Sequence, residues 1–215
     1  IKWGEMLDEG LNIGSLHRWC QEDNLEAYND IMSKDLNKLI LESLNLTTTD
    51  ISKVVYNMFK HEFRCVSLKH GIWFQFMGKW KELDKGVSLR KKISNDVVNA
   101  YLKLSSYYAD KARQFDDMET IKENNTNLSS NLNKVSLKLR NATFKDTLMK
   151  ECAEVFWQEG FLDTLDENIY LIGFENGVYD LNKINYDTGE YGMFRPGRPE
   201  DNISMSTGID YVSYN

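Results

Sequence analysis

The 215-residue chain contains no G-x-x-x-x-G-K-[ST] run, so no P-loop can cradle nucleotide phosphates in it. No G-x-G-x-x-G follows an extended segment either, which removes the dinucleotide-binding turn. The paired carboxylates Asp116-Asp117 and Glu200-Asp201 are sequence neighbours that diverge on a helix or strand, whereas metal-dependent nucleotidyl transfer needs carboxylates that converge. No catalytic residue is therefore expected. No apolar stretch approaches the ~20 residues that cross a bilayer, and the charged opening IKWGEMLDEG has no signal-peptide apolar region. No membrane partner is expected. The three cysteines, Cys20, Cys65 and Cys152, are odd in number and widely spaced, as suits a reducing compartment rather than a disulfide framework. A structural zinc site wants four converging nitrogen or sulfur ligands. His61, Cys65 and His70, or His17 with Cys20, match those spacings loosely, so neither a metal nor a cofactor is expected in this segment. An initiator methionine is also missing, and the chain stops mid-pattern after Asp210-Tyr211, which reads as a piece of a longer polypeptide.

What is present describes a folded globule. Hydrophobic content of 41% and aromatic content of 12% allow one domain, or two small ones, with a real core. The net charge of −7 is segregated. Residues 1–50 carry 4 basic and 10 acidic side chains, residues 51–150 carry 19 and 10, and residues 151–215 carry 3 and 13. A basic middle flanked by acidic ends can still present a positive surface to nucleic acid. The same pattern would also arise if the segments neutralised one another within the fold.

Periodicity divides the chain. SLHRWCQEDN (15–24) reads as a short amphipathic helix, and Ile31, Leu36, Leu39, Ile40 and Leu44 mark a second. Thr47-Thr48-Thr49-Asp50 breaks that helix and supplies N-cap chemistry for the next, whose apolar positions are Ile51, Val54, Val55, Met58 and Phe59. The period then becomes two: Phe63 to Leu68, WFQF (73–76) and Trp80, with breaks at His70-Gly71 and Met77-Gly78, predict a three-stranded meander. Helix resumes at Val87 with Leu89, Ile93, Val97, Tyr101, Leu104 and Tyr108. Asp116-Asp117 and ENNTNLSSN (123–131) read as a polar break, and Lys134 to Trp157 as another helix. After Gly160 only strands and turns are expected; Asn176-Gly177 marks a tight turn, both residues tolerating positive φ. The expected fold class is α+β, mostly helical, with a small antiparallel β-meander at about 62–83 and a β-hairpin region at about 169–195. The expected units are a helical lead-in (1–50), a helical core with the meander (51–160) and a hairpin segment (161–215).

Two basic clusters stand out. Lys79, Lys81, Lys85, Arg90, Lys91 and Lys92 are interleaved with Trp73, Phe74, Phe76 and Trp80. Single-stranded DNA sites combine cations that track phosphates with rings that stack on bases. Phe74 and Phe76 alternate within the ribbon and read as core; Trp80 reads equally as core or as a stacking ring. The second cluster is Lys134, Lys138, Arg140, Lys145 and Lys150, of which Lys134, Lys138 and Lys145 can share one helical face. The candidate nucleic-acid residues are Lys79, Trp80, Lys81, Arg90, Lys91, Lys92, Lys138, Arg140 and Lys145.

Three blocks also occur in a recognisable order: SLHRWCQEDN, then WFQFMGKW (73–80) with GVSLRKKIS (86–94), then FENGVYDL (174–181), FRPGRPED (194–201) and ISMSTGIDY (203–211). Together they resemble the segment just upstream of the motor in the poxvirus-type primase–helicases of nucleocytoplasmic large DNA viruses, of helicase superfamily III. The resemblance spans nearly the whole chain. It implies a collar-like tier between an N-terminal primase module and a C-terminal hexameric ATPase. It also implies a homo-hexamer, single-stranded or forked DNA as partner, a replication factory in the host cytoplasm, and ATP and Mg²⁺ for the motor alone. The motor's motifs would lie downstream, so no family catalytic residue is carried onto any position here. NKINYDTGEYGM (182–193) is long for its place in the pattern and is expected to be an added hairpin.

Overall fold

The computed structural model describes residues 16, 19, 20, 22–115, 118–184, 189 and 191–213. Leu16, Trp19, Cys20, Glu22 and Asp23 are helical, as the amphipathic spacing predicts. His17, the opening decapeptide and the Asp116-Asp117 break lie outside the described residues. Helix α1 (Leu25–Glu42) starts at Asn24, whose Oδ1 accepts the Ala27 N–H at 3.0 Å. It ends in a turn that leaves Leu46 left-handed (φ 64°). Thr47 then caps α2 (Thr48–Phe59), its hydroxyl oxygen accepting the Asp50 N–H at 3.3 Å. Hydrogen bonds from Asn45, Lys53 and Thr47 hold the Asp50 carboxyl well below the usual carboxylate range. Ile51, Val54, Val55 and Phe59 of α2 enter the core beside Ile40 of α1.

The meander forms as expected: β1 (Phe63–Ser67), β2 (Ile72–Phe76) and β3 (Trp80–Asp84), antiparallel and in that order. Alternation gives it two buried faces. Phe63, Cys65 and Trp73 look into the helical core, while Phe74 and Trp80 face Phe161 in a second, smaller core. Both edges are covered, which removes the exposed ladder that invites aggregation. The Cys65 N–H donates to the Phe156 carbonyl at 2.9 Å and the Trp80 N–H to Ile203 at 2.7 Å. Burial in the core pushes the Cys65 thiol up, and His70 is exposed on the turn, so the two do not converge on a metal.

Helix α3 (Val87–Lys92) passes through a π turn (Ile93–Val97) into α4 (Val98–Gln114). The wider turn has a sequence cause. Leu89, Ile93, Val97 and Tyr101 are each four apart, and at 3.6 residues per turn such a row drifts off the core face. A π turn takes up the excess, and all four side chains are fully buried. The Tyr101 hydroxyl meets the Ser43 hydroxyl at 2.5 Å, and burial pushes its pKa up to about 12.

Helix α5 (Glu119–Arg140) corrects one expectation: ENNTNLSSN is helical, not a break. Asn and Ser are weak helix formers, but Ser129 packs on α4 with its hydroxyl 2.9 Å from that of Ser105, and Leu132, Val135 and Leu139 below it are buried. Tertiary burial outweighs propensity there. A second correction follows at Asn141, which takes extended φ/ψ and caps α6 (Ala142–Val155) by accepting the Phe144 N–H at 3.0 Å. The single helix expected from Lys134 to Trp157 is thus two, joined by an elbow.

The C-terminal sheet, β4 (Leu171–Phe174), β5 (Gly177–Ile184) and β6 (Tyr191–Arg195), is antiparallel in chain order. Residues 185–188 and 190 of the expected added hairpin lie outside the described residues. The β4–β5 turn differs from expectation in its cause. Neither Asn176 nor Gly177 has positive φ; Gly177 pairs with Phe174, and a Cβ there would sit 2.6 Å from the Arg195 carbonyl oxygen. Glycine is needed for close approach, not for handedness. No helix of the described residues is long and apolar enough to cross a membrane.

Candidate nucleic-acid interface

The structure places the sequence candidates in two separate settings. At the meander's second turn they are consumed by the fold. Trp80 is 1% exposed, packed against Phe161 with ring centroids 5.0 Å apart, and its indole N–H donates to the Pro199 carbonyl at 2.8 Å. A base cannot stack on it; strand alternation turned the ring inward, and Trp80 leaves the candidate set. Lys79 is clamped by Glu175 at 2.5 Å and Ser206 at 2.6 Å. These contacts, led by Lys79, hold the Glu175 carboxyl below its ordinary range. Lys81 alone stays exposed on this turn without an ion pair among the described residues.

The rest of the turn explains the FRPGRPED block. A Cβ on Gly197 would lie 2.0 Å from the Gly78 carbonyl oxygen. Arg195 forks onto Asp201 with both bonds at 2.7 Å and reaches Asp180 at 3.3 Å, all three side chains buried. Asp201 also accepts the Arg198 N–H at 2.8 Å, capping the short turn Pro199–Asp201. The block is a joint that seats the C-terminal segment on the meander. A bidentate Arg–carboxylate pair needs fixed geometry, and nothing in local periodicity announced it.

The second setting is the α5–α6 elbow beside the end of α3. Gly86, at φ 61°, starts α3 where a Cβ would meet the Met149 methyl at 2.9 Å, so α3 lies directly on α6. Arg90 therefore reaches across, pairing with Asp146 and donating to the Ala142 carbonyl at 3.2 Å. Lys145 donates to the Ser94 hydroxyl at 2.6 Å. Lys92 turns the other way, to Glu62 at 3.2 Å and Asp96 at 3.7 Å, with its ammonium 5.2 Å above the Phe59 ring. Lys91, Lys138 and Arg140 are exposed and make no ion pair among the described residues. Because the helix breaks at Asn141, Lys145 does not share a face with Lys134 and Lys138; the bend instead brings Lys145 to Ser94 in the π turn that follows α3. Partners such as Asp146 and Glu175 escaped sequence reasoning because each lies far along the chain from the cation it holds.

A family model described as D5 N terminal like matches residues 52–214. A candidate helicase of Acanthamoeba polyphaga mimivirus is 36% identical over 209 residues, covering 96% of this chain and 21% of that protein. A candidate helicase of Frog virus 3 is 27% identical, covering 98% of this chain and 23% of the relative. A candidate primase of African swine fever virus is 24% identical, covering 94% and 22%. The chain spans about a fifth of the length of the curated relatives it matches. With a family match over residues 52–214, the chain is a member of the D5 N-terminal-like family, found in proteins of nucleocytoplasmic large DNA viruses.

Proposed function

We propose that the chain is a non-catalytic accessory domain of a viral replicative primase–helicase that guides DNA toward an ATP- and Mg²⁺-dependent motor and supports assembly of a homo-hexameric ring. It acts in the replication factories of the host cytoplasm. What supports the DNA role is the elbow: Lys91 in α3 and Lys138 and Arg140 near the end of α5 are exposed and make no ion pair among the described residues, in a molecule of net charge −7. Arg90 and Lys145 stand beside them, and the Arg90–Asp146 pair is half-exposed, so Arg90 can exchange its carboxylate for a phosphate. Each neutralised phosphate contributes about −0.7 to the log–log salt slope of single-strand binding.

The test is oligonucleotide binding by the chain across a salt series. Charge reversal of Lys91, Lys138 and Arg140 to Glu weakens binding and flattens the slope by about 2. An unchanged affinity and slope removes DNA from the elbow. A second reading, a structural domain that sets ring assembly and touches no DNA, is favoured by the internal pairing of Lys79, Arg90 and Lys92. A full-length parent that stays hexameric after losing this segment would exclude it.

A further inference from the structure

A concavity of about 810 Å³ lies between α1 and α4, away from every sequence-predicted contact except Lys92. Its α4 wall includes Asn99, Lys103 and Tyr107, successive (i, i+4) neighbours, and Lys111 continues the row just beyond the groove. Tyr107 is 50% exposed, and the Lys111 ammonium lies over its ring, 4.7 Å from the centroid. Tyr108 meets it edge-on at 5.3 Å and packs into the core, fixing the helix beneath. The side chains of Asn99, Lys103 and, across the groove on α1, Asn37 have no hydrogen-bond partner among the described residues. The one carboxylate in the lining, Asp96, is at the end of the groove and is paired with Lys92.

A half-exposed ring beside two lysines, with the Asn37 amide opposite, matches the chemistry of one nucleotide of a single strand. A base stacks on the ring as the Lys111 ammonium leaves it for a phosphate, Lys103 takes the phosphate on the other side, and the Asn37 amide meets the base edge. We infer that the α1–α4 groove is a single-stranded nucleic-acid contact in which a base stacks on Tyr107 while Lys103 and Lys111 hold the flanking phosphates. The inference rests on the reading of the chain as a DNA-handling domain, but it uses no elbow residue.

The test compares two oligonucleotides of equal length, oligothymidylate and its fully abasic counterpart, on the 215-residue chain. Tyr107→Leu weakens oligothymidylate binding about tenfold and leaves the salt slope intact, as loss of one stacked base requires. Tyr107→Phe stays within about twofold of the parent, because the ring is kept. On the abasic strand Tyr107→Leu and the parent bind alike. Lys103→Gln with Lys111→Gln flattens the salt slope by about 1.4 on both strands. The groove is ruled out if Tyr107→Leu binds oligothymidylate as the parent does, or loses the same factor on both strands. Should the leucine variant fold poorly, the parent's own preference for bases over the abasic strand decides, and equal affinity rules the groove out. The Lys91, Lys138 and Arg140 reversal on the same strands separates the two ideas. If it has no effect while Tyr107→Leu does, the elbow is wrong and the groove stands; the reverse result leaves the elbow alone.

Discussion

The meander's second turn and the α5–α6 elbow look alike as sequence, each a run of lysine and arginine beside aromatic or apolar residues, yet the fold uses them oppositely. At the turn the acidic C-terminal third folds back, so Glu175 takes Lys79 and the Pro199 carbonyl takes the Trp80 indole. At the elbow Asp146 is the one carboxylate among the described residues that answers, leaving Lys91, Lys138 and Arg140 exposed. Charge density along a chain therefore says where cations are available, while the return path of the rest of the chain decides which remain so.

The largest effect that would break this contrast is at Trp80. Trp80→Ala empties the smaller core and is expected to cost about 3–5 kcal/mol, read as a lower denaturant midpoint. A mild effect would mean the ring is not buried and returns it to the DNA candidates. Arg195→Leu leaves Asp180 and Asp201 buried without their cation, and breaking such a pair costs about 3–5 kcal/mol; equilibrium unfolding measures it. The elbow reversal should do the converse, changing DNA affinity while shifting the midpoint by no more than about 0.5 kcal/mol, as surface substitutions do.

Lys79→Ala should give a smaller, salt-sensitive loss of stability with DNA affinity unchanged, because the pair is partly exposed and screened. Its pH dependence has a definite sign. The Glu175 carboxyl is held below its ordinary range, so the latch's contribution is present above the unfolded value and lost as pH falls through the folded one. Tyr101 works at the other end of the scale. Its folded value near 12 exceeds the ordinary 10, so its contribution is complete below pH 10 and is lost as pH rises toward 12. Unfolding titrations of parent and Tyr101→Phe should converge only at the alkaline end.

Much of the fold was legible from short-range signals. Thr47 as a cap, Gly71 and Gly78 at the meander's turns, and the (i, i+4) row from Leu89 to Tyr101 all act within a few residues, and each took its expected place. Where the reading failed, local chemistry was overruled from a distance. The ENNTNLSSN segment is helical because α4 buries one side of it, and Gly177 is required by the β6 backbone rather than by its own φ. The candidate site was legible only as a pool of cations; the groove row from Asn99 to Lys111 carries no signal that distinguishes it from an ordinary solvated helix face.

By itself the amino-acid sequence determined the kinds of element, their order, the caps and breaks between most of them, and the family blocks. Those depend on backbone preference and side-chain period, which neighbouring residues share. Only the tertiary structure decided which charges are spent, since Lys79 meets Glu175 across 96 residues and Arg90 meets Asp146 across 56. Coulomb attraction and burial act through space, and no periodicity along a chain encodes which distant side chain will arrive.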